Sequence, residues 1–156
     1  MLINGGDYKM RQKRTLDILC SIFIVILAVS VIYIVAHNMI IKNHDVKLWN
    51  EFRTNLNSDD ISTVGFFGTK SVSFQDKEKN EFIDIFKKST FYKSNRELVG
   101  STGVAIILHY TNDSEFSINC QGRNLFELRY KDLQFFIKNA ELTNLMDKHG
   151  IKWYDT

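Results

Sequence analysis

The hydrophobic and polar positions of the chain form one long apolar segment followed by a mixed region. No charged residue occurs from Ile18 to Ala36, and after the polar pair His37 and Asn38 the apolar residues 39–41 extend the segment. At ~1.5 Å per residue, a helix over the uncharged stretch is about 28 Å long, close to the ~30 Å hydrocarbon thickness of a bilayer. The pattern therefore predicts a transmembrane helix over residues 16–41.

Charges on the two sides of this segment indicate its orientation. After it stand Lys42 and Lys47, mixed with Asp45. Before it stands a larger cationic cluster, made of Lys9, Arg11, Lys13 and Arg14. Because the more cationic flank stays in the cytoplasm, residues 1–15 are predicted to be a cytoplasmic basic tail. We therefore expect a single-pass protein of the cell membrane, with a signal anchor and an extracytoplasmic C-terminal domain.

A cleaved signal peptide is the competing interpretation of the same segment. Ala28-Val29-Ser30 resembles a processing site with small residues at its first and third positions. Cleavage there would leave the strongly apolar sequence VIYIVAHNMII at the new N-terminus, which favours an uncleaved anchor. The residues before Cys20 do not form a lipoprotein signal.

Residues 42–60 are predicted to form a juxtamembrane helix and a linker. Leu48, Trp49, Phe52 and Leu56 follow helical spacing, and the turn formers of residues 57–60 end the pattern. A continuation of the helix beyond the apolar segment is the simplest structure that fits this spacing.

Residues 61–156 alternate as expected for an α+β domain. Strands are predicted over 61–67 and 70–75, a helix capped by Asp76 as far as Ser89, a loop over 91–103, strands over 104–110, 115–120, 125–130 and 133–138, and a helix capped by Asn139 and ended by Gly150. The predicted order is ββαββββα. Short turns between neighbouring strands require antiparallel pairing, so a mainly antiparallel sheet is expected.

Composition and charge narrow the class of protein. Hydrophobic residues make up 44% and charged residues 24% of the chain, as in folded proteins. The formal net charge is +2, and it arises before Lys42, because Lys and Arg balance Asp and Glu in the rest of the chain. A neutral domain is a poor binder of phosphate backbones, so no nucleic-acid partner is expected.

The sequence contains no motif that indicates catalysis, a cofactor or a metal. None of the four histidines has the spacing of a known zinc motif: they are His37, His44, His109 and His149. Cys20 lies in the apolar segment, whereas Cys120 alternates with Phe116 and Ile118. We therefore expect no disulfide, a buried Cys120 and no cofactor.

Three pairs of adjacent apolar residues indicate that both faces of the sheet carry apolar groups. The pairs are Phe66 and Phe67, Ile106 and Ile107, and Phe135 and Phe136. Neighbours in a strand point to opposite faces. If the juxtamembrane helix or the C-terminal Ile151 and Trp153 cover the second face, then Phe67, Ile107 and Phe136 are core residues. If nothing covers it, these three residues form a candidate partner-binding patch.

These observations lead to three functional hypotheses. The first is a non-enzymatic protein-interaction or regulatory module of the cell envelope, anchored in the bilayer and able to bind another membrane or envelope protein. The second is a small-ligand sensor or enzyme with a pocket between sheet and helices, near His109 and Tyr110. The third is a phage- or plasmid-borne immunity or exclusion factor, suggested by small size and anchoring.

Overall fold

A computed structural model describes residues 5–67, 71–96 and 104–152, with side chains from residue 13 onward. Its contacts divide the chain into two units, Met1–His44 and Asp45–Thr156. The elements are α1 (Gly5–Asn55), a 3-10 turn (Ser58–Asp60), β1 (Ile61–Phe67), β2 (Val72–Phe74), α2 (Asp76–Lys87), β3 (Thr90–Asn95), β4 (Ala105–Tyr110), β5 (Glu115–Gly122), β6 (Leu125–Tyr130), β7 (Leu133–Lys138) and α3 (Ala140–Lys148).

The apolar segment lies within α1. Its most apolar window has a mean hydropathy of 3.1, and none of that window is buried. Within the described residues, α1 is the one helix that is long and apolar enough to span a membrane, and it lies near the N-terminus.

The last turns of α1 belong to the second unit and contribute to its core. Trp49, Phe52 and Leu56 are 1%, 7% and 3% exposed. The Trp49 ring packs edge-on against Phe86 of α2, and the Phe52 ring lies 5.0 Å from that of Tyr130 in β6. The helical spacing predicted for this segment is therefore confirmed, and its apolar side faces the domain.

Among the described residues, the second unit forms a seven-stranded sheet with the order β2-β1-β4-β5-β6-β7-β3. All neighbouring strands are antiparallel. Strands β4 to β7 form the predicted meander, and its last turn places Lys131 and Asp132 at φ angles of 47° and 61°. Two successive positive φ angles match the twist of a two-residue hairpin turn. The α+β class is confirmed.

One strand occurs where the sequence predicts a loop. Thr90–Asn95 forms β3 and pairs with β7 at an edge of the sheet, with a bulge between Phe91 and Lys93. Apolar and polar residues alternate only weakly along β3, because an edge strand buries little of its own surface. The pairing with β7 determines its structure. The rest of the predicted loop, residues 97–103, lies outside the described residues.

The helix ends agree with the predictions for α3 and differ for α2. Asn139 caps α3, where its Oδ1 accepts a hydrogen bond from the Leu142 N–H at 2.9 Å. Gly150 follows the end of α3 with φ +69°, as a terminating glycine requires. Asp76 does not cap α2, since it is the first helical residue and Gln75 occupies the cap position without a side-chain bond.

Strand β2 is shorter than predicted, and Lys70 lies outside the described residues.

Candidate functional site

The two faces of the sheet have different neighbours. Ring contacts join Phe66 to Phe82 of α2, and Phe52 of α1 to Phe116 and Tyr130. We call the face that carries these contacts the inner face and the opposite one the outer face. Since side chains alternate along a strand, the neighbours of the inner residues point outward. Phe67, Ile107 and Phe136 therefore share the outer face, as the adjacent apolar pairs predict.

Two of these residues lie at one end of the outer face, around a glycine. Gly65 is paired with Ile107 across β1 and β4, and Phe67 is paired with Ala105. Phe67 is 47% exposed, whereas Ile107 is half-buried. A Cβ atom at Gly65 would lie 2.9 Å from the Phe67 ring and 3.3 Å from His109 Nε2. The absence of a side chain at Gly65 therefore leaves the space in which both rings pack. We call the surface formed by Gly65, Phe67, Ile107 and His109 the outer patch.

The outer patch ends at a partly exposed polar contact. His109 Nδ1 lies 3.0 Å from Glu115 Oε1, and the two residues are direct partners in β4 and β5. The His109 side chain is 33% exposed and that of Glu115 is 62% exposed. An apolar surface with a polar rim is typical of a protein interface, where the rim contributes specificity.

A shallow cavity adjoins the outer patch on β5 and β6. It has a volume of about 350 Å³ and is lined by Glu115, Phe116, Ser117, Asn119 and Arg129. Ser117 is the cross-strand partner of Ile107, so the cavity begins beside the patch. Its lining combines a carboxylate, an amide, a hydroxyl and a guanidinium, which gives the surface next to the apolar patch a mixed polar character.

A buried carboxylate occupies the middle of the outer face. Glu127 is 1% exposed, and its two oxygens accept hydrogen bonds from Gln121 Nε2 at 2.5 Å and Gln134 Nε2 at 2.6 Å. Sequence reasoning missed this group because Glu127, between Phe126 and Leu128, resembles an ordinary solvent-facing residue of a half-buried strand. Bonds to both oxygens satisfy the carboxylate and link β5, β6 and β7.

Phe136 differs from the other two predicted partner-binding residues. It is 9% exposed, and Lys93 Nζ lies 4.7 Å from the centre of its ring. Strands β5 and β6 separate it from Ile107. The structure thus brings Phe67 and Ile107 together and places Phe136 apart from them, beneath a lysine.

A second cavity lies on the inner side, between the end of α1 and the sheet. It has a volume of about 180 Å³ and is lined by Phe52, Asn55, Leu56, Tyr110 and Tyr130. Burial raises the pKa of the Tyr110 hydroxyl, and the nearby charge of Asp60 raises it further. His109 precedes Tyr110 in β4 and points to the outer face, so only Tyr110 of this pair lines the cavity.

The described residues hold no candidate metal cluster, and the cysteine of the second unit is buried. No group of three or more His, Cys, Asp or Glu that could hold a metal ion occurs in the described ranges. Cys20 and Cys120 are both free thiols. Burial raises the pKa of Cys120 to about 12, which keeps the thiol protonated and unreactive at neutral pH. The predicted burial of Cys120 is confirmed.

The fold and this surface define a class of architecture: an α+β domain that follows a helix long enough to span a membrane. No protein-family model, curated protein or solved structure matches the chain. Its function therefore has to be inferred from its own residues.

Proposed function

We propose that the chain is a single-pass membrane protein whose extracytoplasmic domain binds a protein partner through the outer patch, without catalysing a reaction. The observation that carries this proposal is the ring of Phe67, which is 47% exposed beside Ile107 on the outer face. An exposed aromatic group next to other apolar surface is a common anchor of protein interfaces.

The anchoring part of the proposal is supported by α1. Its uncharged segment has the length of a bilayer crossing, and the preceding basic residues favour a cytoplasmic N-terminus. A domain held at a membrane surface encounters other proteins of that membrane at high local concentration. We therefore propose another membrane or envelope protein as the partner.

The geometry of the outer patch also supports a protein partner. Phe67 and His109 lie over Gly65, and the two cavities described above are lined by residues other than those of the outer patch. Apolar surfaces with a polar rim suit protein contacts, whereas small ligands prefer enclosed pockets.

A small-ligand sensor is the second candidate function, and the inner cavity is the observation that favours it. Tyr110 and Tyr130 supply aromatic surface and hydroxyl groups, and Asn55 supplies an amide. The volume of about 180 Å³ is below the ~300–1,000 Å³ typical of ligand sites, so only a small molecule would fit.

The partner proposal is tested with full-length tagged protein, extracted from membranes in mild detergent. Phe67→Asp places a charge in the outer patch, and Tyr92→Asp is the matched control because Tyr92 is another exposed aromatic residue, at 50%. We expect a stoichiometric partner to copurify with the wild type and Tyr92→Asp but not with Phe67→Asp. Retention of the partner by folded Phe67→Asp would exclude the outer patch as its binding site.

Sidedness is tested by protease access in spheroplasts. An extracytoplasmic domain is digested from outside while the basic N-terminal tail stays protected. Protection of the C-terminal domain in intact spheroplasts, with digestion only after lysis, would reverse the orientation and place any partner in the cytoplasm.

A further inference from the structure

Two lysines on the β3 edge of the outer face are held over aromatic rings. Lys138 Nζ lies 4.0 Å from the ring centre of Tyr92, and Lys93 Nζ lies 4.7 Å from that of Phe136. The bulge in β3 lets the successive residues Tyr92 and Lys93 both reach outer-face partners. The rings therefore position both ammonium groups along one edge of the sheet.

These lysines differ from the other cations near this edge. Lys88 forms an ion pair with Glu141, and Arg96 forms one with Asp45 while its side chain stays 58% exposed. None of the ion pairs among the described residues involves Lys93 or Lys138. We call Tyr92, Lys93, Arg96 and Lys138 the basic edge.

Hydrogen bonds connect the basic edge to the residue at which the domain begins. Asp45 is 1% exposed and accepts hydrogen bonds from Ser94 Oγ at 2.6 Å and from Arg96 Nη2 at 3.4 Å. Asp45 follows Ile41, the end of the apolar segment, by four residues. Four helical residues rise about 6 Å, which is roughly the depth of the headgroup layer on one side of a bilayer.

We propose that the basic edge contacts anionic lipid headgroups at the surface of the membrane that α1 enters. Positioned ammonium and guanidinium groups attract phosphate-bearing headgroups, and an exposed tyrosine suits the interface between headgroups and acyl chains. The inference rests on the anchoring part of the proposed function and is independent of the outer patch. A membrane surface is favoured over an acidic protein because Asp45, which accepts hydrogen bonds from Ser94 and Arg96, follows the end of the apolar segment by only four residues in the sequence.

The test measures hydrogen exchange of the β3 amides in full-length protein reconstituted into nanodiscs. One set contains phosphatidylcholine alone, and the other contains phosphatidylcholine with about one third phosphatidylglycerol. We expect exchange over Thr90–Asn95 to be about threefold slower or more in the anionic discs, with the difference reduced at high salt. Equal exchange of the inserted protein in both lipids would overturn the lipid contact while leaving the anchor intact.

Two double variants make this test specific. Lys93→Gln/Lys138→Gln should abolish the lipid-dependent difference. The matched control Lys77→Gln/Lys148→Gln removes the same charge from exposed helical positions and should retain it. The lipid assignment is overturned if both double variants behave alike. It is also overturned if inorganic phosphate or polyglutamate produces the same protection in phosphatidylcholine discs. Failure of the chain to enter either nanodisc would instead contradict anchoring.

Discussion

The inner and outer faces of the sheet are made from adjacent residues of the same strands, yet their surroundings differ. On the inner face Phe66 and Phe135 are fully buried, at 0% exposure each. Their neighbours on the outer face, Phe67 and Phe136, are 47% and 9% exposed. Rings of α1 and α2 pack against the inner face. On the outer face, Phe136 is covered by a lysine and Phe67 keeps about half of its surface open.

An apolar residue in a strand can stabilise the core, or it can form part of a binding surface, and the two faces show this difference. An inner aromatic group stabilises the fold in proportion to the surface it buries. Phe67 gains less from folding because much of its ring stays in water, so stability alone does not account for it. Matched positions on the two faces should therefore differ in reactivity, in stability and in partner binding.

Thiol reactivity should differ most between the two faces. In a Cys20→Ser background, Cys120 reports on the inner face, and Ser117→Cys places a thiol on the outer face of the same strand. The pKa of Cys120 is raised to about 12 by burial, so its thiolate fraction at pH 8 is about a thousandfold lower than that of an ordinary exposed cysteine. Maleimide labelling followed by mass spectrometry should modify position 117 rapidly, and Cys120 only after unfolding. Rapid labelling of Cys120 in folded protein would contradict its burial.

Removing an aromatic ring should affect stability on the inner face far more than on the outer face. Phe66→Ala should lower the free energy of unfolding by about 3–5 kcal/mol, because it leaves a cavity under α2. Phe67→Ala should lower it by less than about 1 kcal/mol. Urea unfolding of the full chain in mild detergent measures both values. Equal losses would show that Phe67 is a core residue and that the outer patch is covered.

Buried polar groups offer a second comparison, with smaller differences. Asn139 caps α3 and donates hydrogen bonds to the Ile85 carbonyl at 2.7 Å and to Ser89 Oγ at 2.8 Å. Asn139→Ala should cost about 2–3 kcal/mol, from the lost cap and the loss of both hydrogen bonds that the Asn139 amide donates. Glu127→Gln on the outer face should cost about 1 kcal/mol, because the amide keeps one acceptor and similar volume, and the partly buried Gln121 can turn its own amide oxygen toward the new NH2 group. The same urea series tests both, and a larger cost for Glu127→Gln would reverse this ranking.

The smallest expected effect on stability occurs at the centre of the outer patch. In Gly65→Ala the new methyl group would approach the Phe67 ring to 2.9 Å, and the end of that exposed side chain can move away. We expect the free energy of unfolding to change by less than about 1 kcal/mol, since alanine also suits a strand better than glycine. The proposed partner should nevertheless bind more weakly, because Phe67 is displaced. Unchanged copurification of the partner would argue against this role.

Much of this architecture could be predicted from the sequence because its strongest signals are local. The uncharged segment, the alternation within β4 to β7 and the cap residue Asn139 each act over a few neighbouring positions. Strand β3 was missed, since its residues around Tyr92 and Lys93 show little alternation and its structure depends on β7. The burial of Glu127 was missed for the same reason, because its partners come from neighbouring strands.

The candidate site was predictable only in part. Adjacent apolar pairs identify two apolar faces, and the sequence does not show which face the helices cover. Phe67 and Phe136 therefore looked alike, although one is half exposed and the other lies beneath Lys93. The role of Gly65, which makes room for the Phe67 ring, could not be predicted, because it depends on His109 in the neighbouring strand.

The most direct test of the central claim is photo-crosslinking in intact membranes, with a photoreactive phenylalanine analogue at position 67 or position 92. Both positions carry exposed aromatic residues, at 47% and 50%, on different parts of the sheet. We expect a discrete protein adduct from position 67 and none from position 92. No adduct from position 67, or the same adduct from both positions, would contradict the outer patch as a specific partner-binding surface.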